Sequence, residues 1–136
     1  MYPFLPKKLR KLTAVILCTA VALAIPTPVQ QVQAGSGESY VGKVAVGAVI
    51  LNRVEDKKFP DSVYSVCFQP GAFDAVRDGQ YYLEPNQEAI NAAKAAINGW
   101  DPTYGCLYYW NPSTATSKWI WSRRIVTQIG KHVFGV

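Results

Sequence analysis

The chain has 136 residues, of which 49% are hydrophobic, and it carries 14 lysines and arginines against nine acids. Four of the bases precede residue 35 and every acid follows it, so the remaining chain has a net charge of about +1. The excess of bases therefore belongs to the N-terminal segment, which argues against the basic surface of a nucleic-acid-binding protein.

The segment from Met1 to Ala34 is predicted to be an export signal. It begins with a positive cluster and continues into an unbroken apolar run, Leu12 to Ile25, which is shorter than the roughly 20 residues that span a bilayer. Pro26 and Pro28 end this run, because proline lacks the amide hydrogen that a helix needs. We expect cleavage after Ala34 and export to the cell wall or spore envelope, with an uncleaved N-terminal membrane anchor as the alternative.

The exported part, Gly35 to Val136, has the length of one small domain. It contains two cysteines, Cys67 and Cys106. In an exported protein such a pair predicts a disulfide, which here closes a loop of about 40 residues and contributes roughly 4 kcal/mol. Two buried free thiols are the alternative interpretation.

Helices are predicted in the first half of this domain. Ser36 or Ser39 is suited to cap a helix that starts near Tyr40 and runs to Arg53, and this helix is apolar on most sides. A second helix is predicted to begin with Pro85 at its first helical position and to end at Gly99, with Glu88 in its first turn. The alanines between residues 89 and 96 imply that another backbone approaches closely.

Strands are predicted in the second half, where aromatic residues are frequent. Residues 106–110 and 118–121 have the composition and alternation of two strands, which predicts a short aromatic antiparallel hairpin. Residues 123–129 are predicted as a short helix, and residues 132–134 as a final strand. Helices followed by a small sheet define an α+β fold.

Six blocks of sequence occur in an order that resembles the SleB/CwlJ family of spore cortex-lytic and cell-wall hydrolases. They are Val44–Arg53, Gln69–Phe73, Asn98–Pro102, Tyr108–Pro112, Trp119–Arg123 and Ile129–Phe134. The resemblance implies a small lysozyme-like domain that cleaves the glycan strands of peptidoglycan as a lytic transglycosylase or muramidase. It implies no cofactor.

The catalytic acid of the family is the uncertain part of this resemblance. In the family it is the first glutamate of a short segment that precedes the region starting here at Gly37. Without gaps, that glutamate falls on Ala34, and Glu38 matches the second glutamate of the segment. Glu38 is therefore the candidate catalytic residue, although a carboxylate at a helix start is also explained by the helix dipole.

Flat aromatic side chains and nearby polar groups are the candidates for binding sugar rings and their N-acetyl groups. The set comprises Gln69, Phe73, Tyr108, Tyr109, Asn111, Trp119 and Trp121. Because successive residues of a strand face opposite ways, only some of the aromatic residues are expected to face a ligand. His132 is the only histidine, so no metal site is predicted. If the acid is lost, the alternative function is a non-catalytic peptidoglycan-binding module.

Overall fold

The computed structural model describes residues 39–73 and 86–136. Helices α1 (Tyr40–Glu55), α2 (Val63–Cys67) and α3 (Gln87–Ile97) come first. Strands β1 (Tyr108–Trp110), β2 (Ile125–Ile129) and β3 (His132–Gly135) follow, with a 3₁₀ turn at Ile120–Ser122 before β2. Within these two ranges no helix is long and apolar enough to cross a membrane. The predicted export signal and Glu38 lie outside the described residues.

Helix α1 is the centre of the domain and is buried on most sides, as predicted. Its N-terminus is capped by Ser39, whose side chain accepts a hydrogen bond from the Gly42 amide at 3.1 Å. Two adjacent rows of its side chains pack into different apolar clusters. Val46 and Ile50 contact α2 and Phe73, while Ala45 and Val49 contact Phe134 of the sheet.

Helix α3 packs closely on α1 through its alanines, which confirms the close approach predicted from their number. Ala92 and Ala96 pack against Val44, and Ala93 lies in the cluster formed by Val46 and Ile50. Asn86 caps the helix by accepting a hydrogen bond from the Ala89 amide at 2.8 Å. The prediction that Pro85 is the first residue of this helix is wrong, because the helix begins at Gln87, directly after its cap.

The strands form an antiparallel sheet in the order β1–β3–β2, so the α+β prediction is confirmed. The predicted helix over residues 123–129 is wrong, because Ile125–Ile129 pairs with β3 and its β-branched residues favour that strand. The predicted strand over residues 118–121 is also wrong. There the Trp119 carbonyl accepts hydrogen bonds from the Ser122 amide and hydroxyl, and these local bonds form a 3₁₀ turn.

The predicted disulfide between Cys67 and Cys106 is wrong, because Cys106 is a fully buried free thiol. The two cysteines belong to different apolar clusters. Cys67 packs with Val46 and Ile50, and Cys106 packs with Ala45, Val49 and Phe134 on the sheet side of α1. Burial raises the pKa of the Cys106 thiol, so this residue is protonated and fills space in the core.

Candidate functional site

Aromatic side chains from β1 and from the segment that follows it form an exposed surface. The Tyr108 ring lies 6.0 Å from that of Phe59 and meets the Trp119 ring edge-on at 5.2 Å. Trp119 is 54% exposed and Trp121 is 47% exposed. We call Tyr108, Trp119 and Trp121 the aromatic face. Flat, partly exposed rings of this kind have the shape and polarity to stack on sugar rings.

The next residue of β1 is directed towards the core, in agreement with the alternation of a strand. Tyr109 stacks on Phe134 at 5.8 Å and lies 6.3 Å from Phe73, which is itself buried. The structure therefore places Tyr109 and Phe73 away from the aromatic face. Both residues were predicted to bind sugar together with the aromatic face, and their position in the core does not support that role.

The buried side chain of Trp110 packs against Trp121 of the aromatic face. It is 6% exposed, and its ring meets that of Trp121 edge-on at 6.0 Å. Trp121 is fixed further by its indole nitrogen, which donates to the Ala115 carbonyl at 3.2 Å. One large exposed ring is thus held both by a buried ring and by a backbone hydrogen bond, so it is oriented before any ligand arrives.

Arg53, near the end of α1, is a buried cation beneath Tyr108. Its guanidinium lies 5.1 to 5.6 Å from the rings of Phe59, Phe73 and Tyr108, and its Nε donates to the Leu107 carbonyl at 2.7 Å. Burial lowers the pKa of Arg53 below its ordinary value. Since arginine titrates far above neutral pH, the group stays charged and is stabilised by the rings and by one carbonyl.

A second guanidinium, that of Arg123, lies on the aromatic face. It is 4.9 Å from the centre of the Trp119 ring and 5.9 Å from that of Tyr108. Its Nη2 donates to the Ser122 hydroxyl at 3.2 Å, and its buried Nε has no hydrogen-bond partner in the part of the chain that the structure describes. Tyr108 is therefore close to two arginines.

The predicted polar candidates form turns in the structure. The Asn111 side-chain oxygen accepts a hydrogen bond from the Ser113 amide at 2.9 Å, and its carbonyl accepts from Thr114 and Ala115. The Gln69 carbonyl accepts from the Ala72 amide at 3.0 Å. Both residues thus form hydrogen bonds that stabilise local turns. Asn111 directly follows β1 in the chain.

Asp101 fixes the loop between α3 and β1. Its carboxylate accepts hydrogen bonds from the Thr103 hydroxyl and amide, from the Gly105 amide and from the Asn52 side chain, at 2.6 to 2.9 Å. Burial by itself raises the pKa of Asp101, but these hydrogen bonds outweigh it and lower the pKa below its ordinary value. An aspartate held ionised in this way has a structural role and is unsuited to donate a proton.

The other acids within residues 39–73 and 86–136 are at helix ends or turns. Glu88 forms an ion pair with Lys43, the Asp56 side chain accepts a hydrogen bond from the Lys58 amide, and Glu55 and Asp61 are exposed. No group of acids, histidines and cysteines suited to a metal ion occurs in these ranges. The candidate acid Glu38 directly precedes Ser39, the cap of α1, and lies outside the described residues.

Sequence analysis missed the burial of Arg53 and the hydrogen-bond network of Asp101. An Asn-Arg pair at the end of an otherwise apolar helix was the available signal for Arg53. Its three aromatic neighbours come from three other parts of the chain, and their spacing in the sequence does not show that they meet. An aspartate before a turn, such as Asp101, is common in loops. This pattern does not predict which groups donate hydrogen bonds to its carboxylate.

This geometry and the sequence match known proteins of one class. Residues 37–135 match the family model described as Cell Wall Hydrolase. The spore cortex-lytic enzyme of Bacillus cereus is 61% identical over 98 residues, and that of Bacillus subtilis is 57% identical over the same length. These matches cover 72% of this chain but 38% and 32% of the two relatives, so the chain spans about a third of their length.

Two solved structures are similar over nearly the whole chain. The catalytic domain of the Bacillus cereus SleB protein has a TM-score of 0.76 and 51% identity, and 91% of each chain is covered. The catalytic domain of the germination-specific lytic transglycosylase SleB from Bacillus anthracis has a TM-score of 0.80 and 48% identity, covering 97% of this chain and all of that one. The fold is thus that of a small lysozyme-like, SleB-type catalytic domain. The chain belongs to the cell wall hydrolase family.

Proposed function

We propose that this chain cleaves the glycan strands of peptidoglycan outside the cytoplasm, as a lytic transglycosylase. The observation that carries the proposal is the match, over 97% of this chain, to the catalytic domain of a germination-specific lytic transglycosylase. The partly exposed rings of Tyr108, Trp119 and Trp121 support it, because they offer a stacking surface for a carbohydrate.

The reaction needs one protonated carboxyl group. The acid protonates the glycosidic oxygen, the bond from that oxygen to C1 of the sugar breaks, and a hydroxyl of the same sugar forms a new bond to C1. The proton of that hydroxyl passes to the carboxylate, which restores the acid. No water is consumed, and one strand ends in an anhydro sugar.

Glu38 is the residue to which we assign this role. It stands directly before the cap of α1, and without gaps it matches the second glutamate of the family segment, whose first glutamate falls on Ala34. The positive end of the helix dipole favours the ionised carboxylate, so a general acid here needs apolar neighbours that counteract the dipole. The first 34 residues are proposed to direct export of the domain.

The test is digestion of purified, peptide-containing sacculi by the chain and by the Glu38→Gln variant. Wild type is expected to release muropeptides, and Glu38→Gln is expected to lose at least about a hundredfold in rate, the usual contribution of a general acid. Glu88→Gln is the matched control, because Glu88 is an exposed glutamate on another helix, and it should retain the wild-type rate. A Glu38→Gln variant with full activity would show that another acid does the chemistry.

A non-catalytic peptidoglycan-binding module is the second candidate. The observation that favours it is that the aromatic face needs no acid to bind sugar, and Asp101 is held ionised. Co-sedimentation of the wild-type chain with sacculi, without release of any muropeptide, would support the binding module and contradict the proposed enzyme.

A further inference from the structure

We infer that the outer edge of β2 is a docking site for an extended, acidic segment of another protein, which adds to the sheet as a fourth strand. This interaction goes beyond the proposed function and does not depend on it, because strand pairing requires neither a sugar nor a catalytic acid. The position of β2, the composition of β2 and the charges at its two ends carry the inference.

Strand β2 lies at one edge of the sheet. The order β1–β3–β2 leaves its outer side without a paired strand among residues 39–73 and 86–136. An edge strand presents backbone donors and acceptors to solvent, and another extended chain can pair with them. β1 is the opposite edge and has three residues, whereas β2 has five. β2 is therefore the longer edge for an added strand.

The sequence of β2 lacks the residues that usually prevent such pairing. Ile125–Ile129 contains no charged residue and no proline, the residues that block the edges of many natural sheets. Ile125 is 48% exposed and Val126 is 36% exposed, and β-branched side chains of this kind pack well against a neighbouring strand.

A bulge at Val126 interrupts the first half of β2. Val126 has no Cα partner on β3, while Thr127, Gln128 and Ile129 pair with β3 in continuous register. A bulge bends the strand that contains it and can turn an edge away from a partner. Because this bulge lies near the start of β2, the second half of the strand remains a regular template for pairing.

Positive charges flank β2 on both sides and argue against pairing of two copies of this chain. Arg123 and Arg124 precede the strand, and Lys131 follows it. An antiparallel pair of two β2 strands would bring the arginines of one copy near Lys131 of the other, and a parallel pair would bring arginine near arginine. Like charges on paired strands are destabilising, so a second copy is a poor occupant of this edge.

The same charges define the chemistry of the partner that fits. Residues 102–136 contain two lysines and two arginines and no aspartate or glutamate, so this half of the domain attracts a negatively charged chain. Acidic residues at both ends of an added strand would meet the flanking bases, and a β-branched centre would pack on Ile125 and Val126. The occupant is thus an extended protein segment with a β-branched centre and acidic ends.

The test is an NMR titration of the isotope-labelled full chain with the synthetic peptide Asp-Asp-Val-Thr-Val-Thr-Val-Asp-Asp. We expect this acidic peptide to shift the amide signals of residues 125–129 and to slow their hydrogen exchange. It should bind at least about tenfold more tightly than the same peptide with lysine in place of aspartate. The acidic peptide methylated on the backbone nitrogens of its centre keeps its charge but cannot donate hydrogen bonds, and it should not bind.

The Val126→Asp variant places a negative charge on the edge itself. We expect it to weaken binding of the acidic peptide at least about tenfold, because like charges and charged edges oppose pairing. Val41→Asp is the matched control, since Val41 is a valine of α1 with nearly the same exposure, 37%, and it should bind the peptide as wild type does. Amide signals outside β2 report whether each variant keeps its fold.

Four outcomes would contradict the inference. They are failure of the acidic peptide to bind, equal binding of the lysine peptide, binding that survives methylation or Val126→Asp, and signal changes confined to the aromatic face. Sedimentation that shows dimers of the free wild-type chain, and none of Val126→Asp, would assign the edge to a second copy instead. The titration needs no bond cleavage, so its result is interpretable for a chain without hydrolytic activity.

Discussion

Arg53 is a buried cation that is stabilised by aromatic rings and one backbone carbonyl, without an acidic partner in the described ranges. Three rings surround its guanidinium, and one of them, Tyr108, belongs to the aromatic face. The residue thus connects the end of α1 to the loop before β1 through Leu107. It sets the position of Tyr108 without touching the exposed surface itself.

The Arg53→Lys variant tests this role. A lysine keeps the charge but cannot stack a planar group between the rings, and its ammonium is more strongly hydrated. We expect the free energy of unfolding in urea to fall by about 2 kcal/mol. The buried charge would lose its hydrogen bond to the Leu107 carbonyl and its stacking on the aromatic rings. The exposed control Lys57→Arg should unfold as wild type, and an Arg53→Lys variant with unchanged stability would contradict the account.

The stability that Asp101 contributes to the fold is predicted to depend on pH. Its pKa in the folded chain lies below the ordinary value, so the stability it contributes is present above the unfolded-state pKa of about 4 and is lost as the pH falls through the folded-state value. We expect Asp101→Asn to lower the free energy of unfolding by about 1–2 kcal/mol at neutral pH, and the difference from wild type to shrink under acid conditions.

Urea unfolding of both proteins at several pH values measures this difference. Asp61→Asn is the control, since Asp61 is exposed in a turn, and it should follow the wild-type curve. A difference between wild type and Asp101→Asn that stays constant, or grows, below about pH 4 would show that the carboxylate is not held ionised.

The sequence predicted the kinds of residue in the site better than their arrangement. Five aromatic residues were predicted to bind sugar, but Phe73 and Tyr109 lie towards the core, whereas Trp119 and Trp121 are exposed. Alternation along β1 predicted that the residues divide between two faces. It did not predict which face is exposed, because that depends on how α1 and β3 pack against the strand.

At the scale of elements, the sheet depends on a close approach at its last residue. A side-chain carbon added to Gly135 lies 2.7 Å from the Arg124 carbonyl and 3.2 Å from the Trp110 ring. Gly135 is opposite Tyr108 on one side and Ile125 on the other. The glycine lets β3 fit between its two neighbours and against the ring that supports Trp121.

The Gly135→Ala variant should therefore destabilise the sheet. We expect a loss of about 2 kcal/mol in the free energy of unfolding, since the methyl group overlaps a backbone atom that cannot move aside easily. The indole signal of Trp121 should also shift, because Trp110 has to move. Gln128→Ala, at an exposed position of β2, is the control, and a Gly135→Ala variant as stable as this control would contradict the close contact.

Local pattern predicted the helices well and the ends of the sheet poorly. α1 and its cap at Ser39 follow from sequence-local features, and the alanines of α3 indicated its packing on α1. Residues 125–129 were predicted to be helical, and they form a strand because β3 offers them hydrogen-bond partners. Residues 118–121 alternate like a strand, but no strand within residues 39–73 and 86–136 pairs with them.

At the scale of the whole molecule, the acids and the aromatic face lie in different parts of the chain. Every acid precedes residue 102, and the sheet half contributes rings and positive charge. In the proposed enzyme the sheet half holds the glycan and the residues before α1 supply the proton. With this division, we expect a chain that has lost the acid to bind glycan strands still.

In the proposed reaction, a hydroxyl group of the cleaved sugar attacks C1 of the same sugar. Mass spectrometry of the muropeptides released from sacculi by the wild-type chain tests it most directly. We expect new strand ends that carry an anhydro sugar, lighter by one water than the corresponding reducing ends. Release of reducing ends alone would contradict the transglycosylase chemistry, and an absence of released muropeptides from sacculi to which the chain binds would contradict the enzyme.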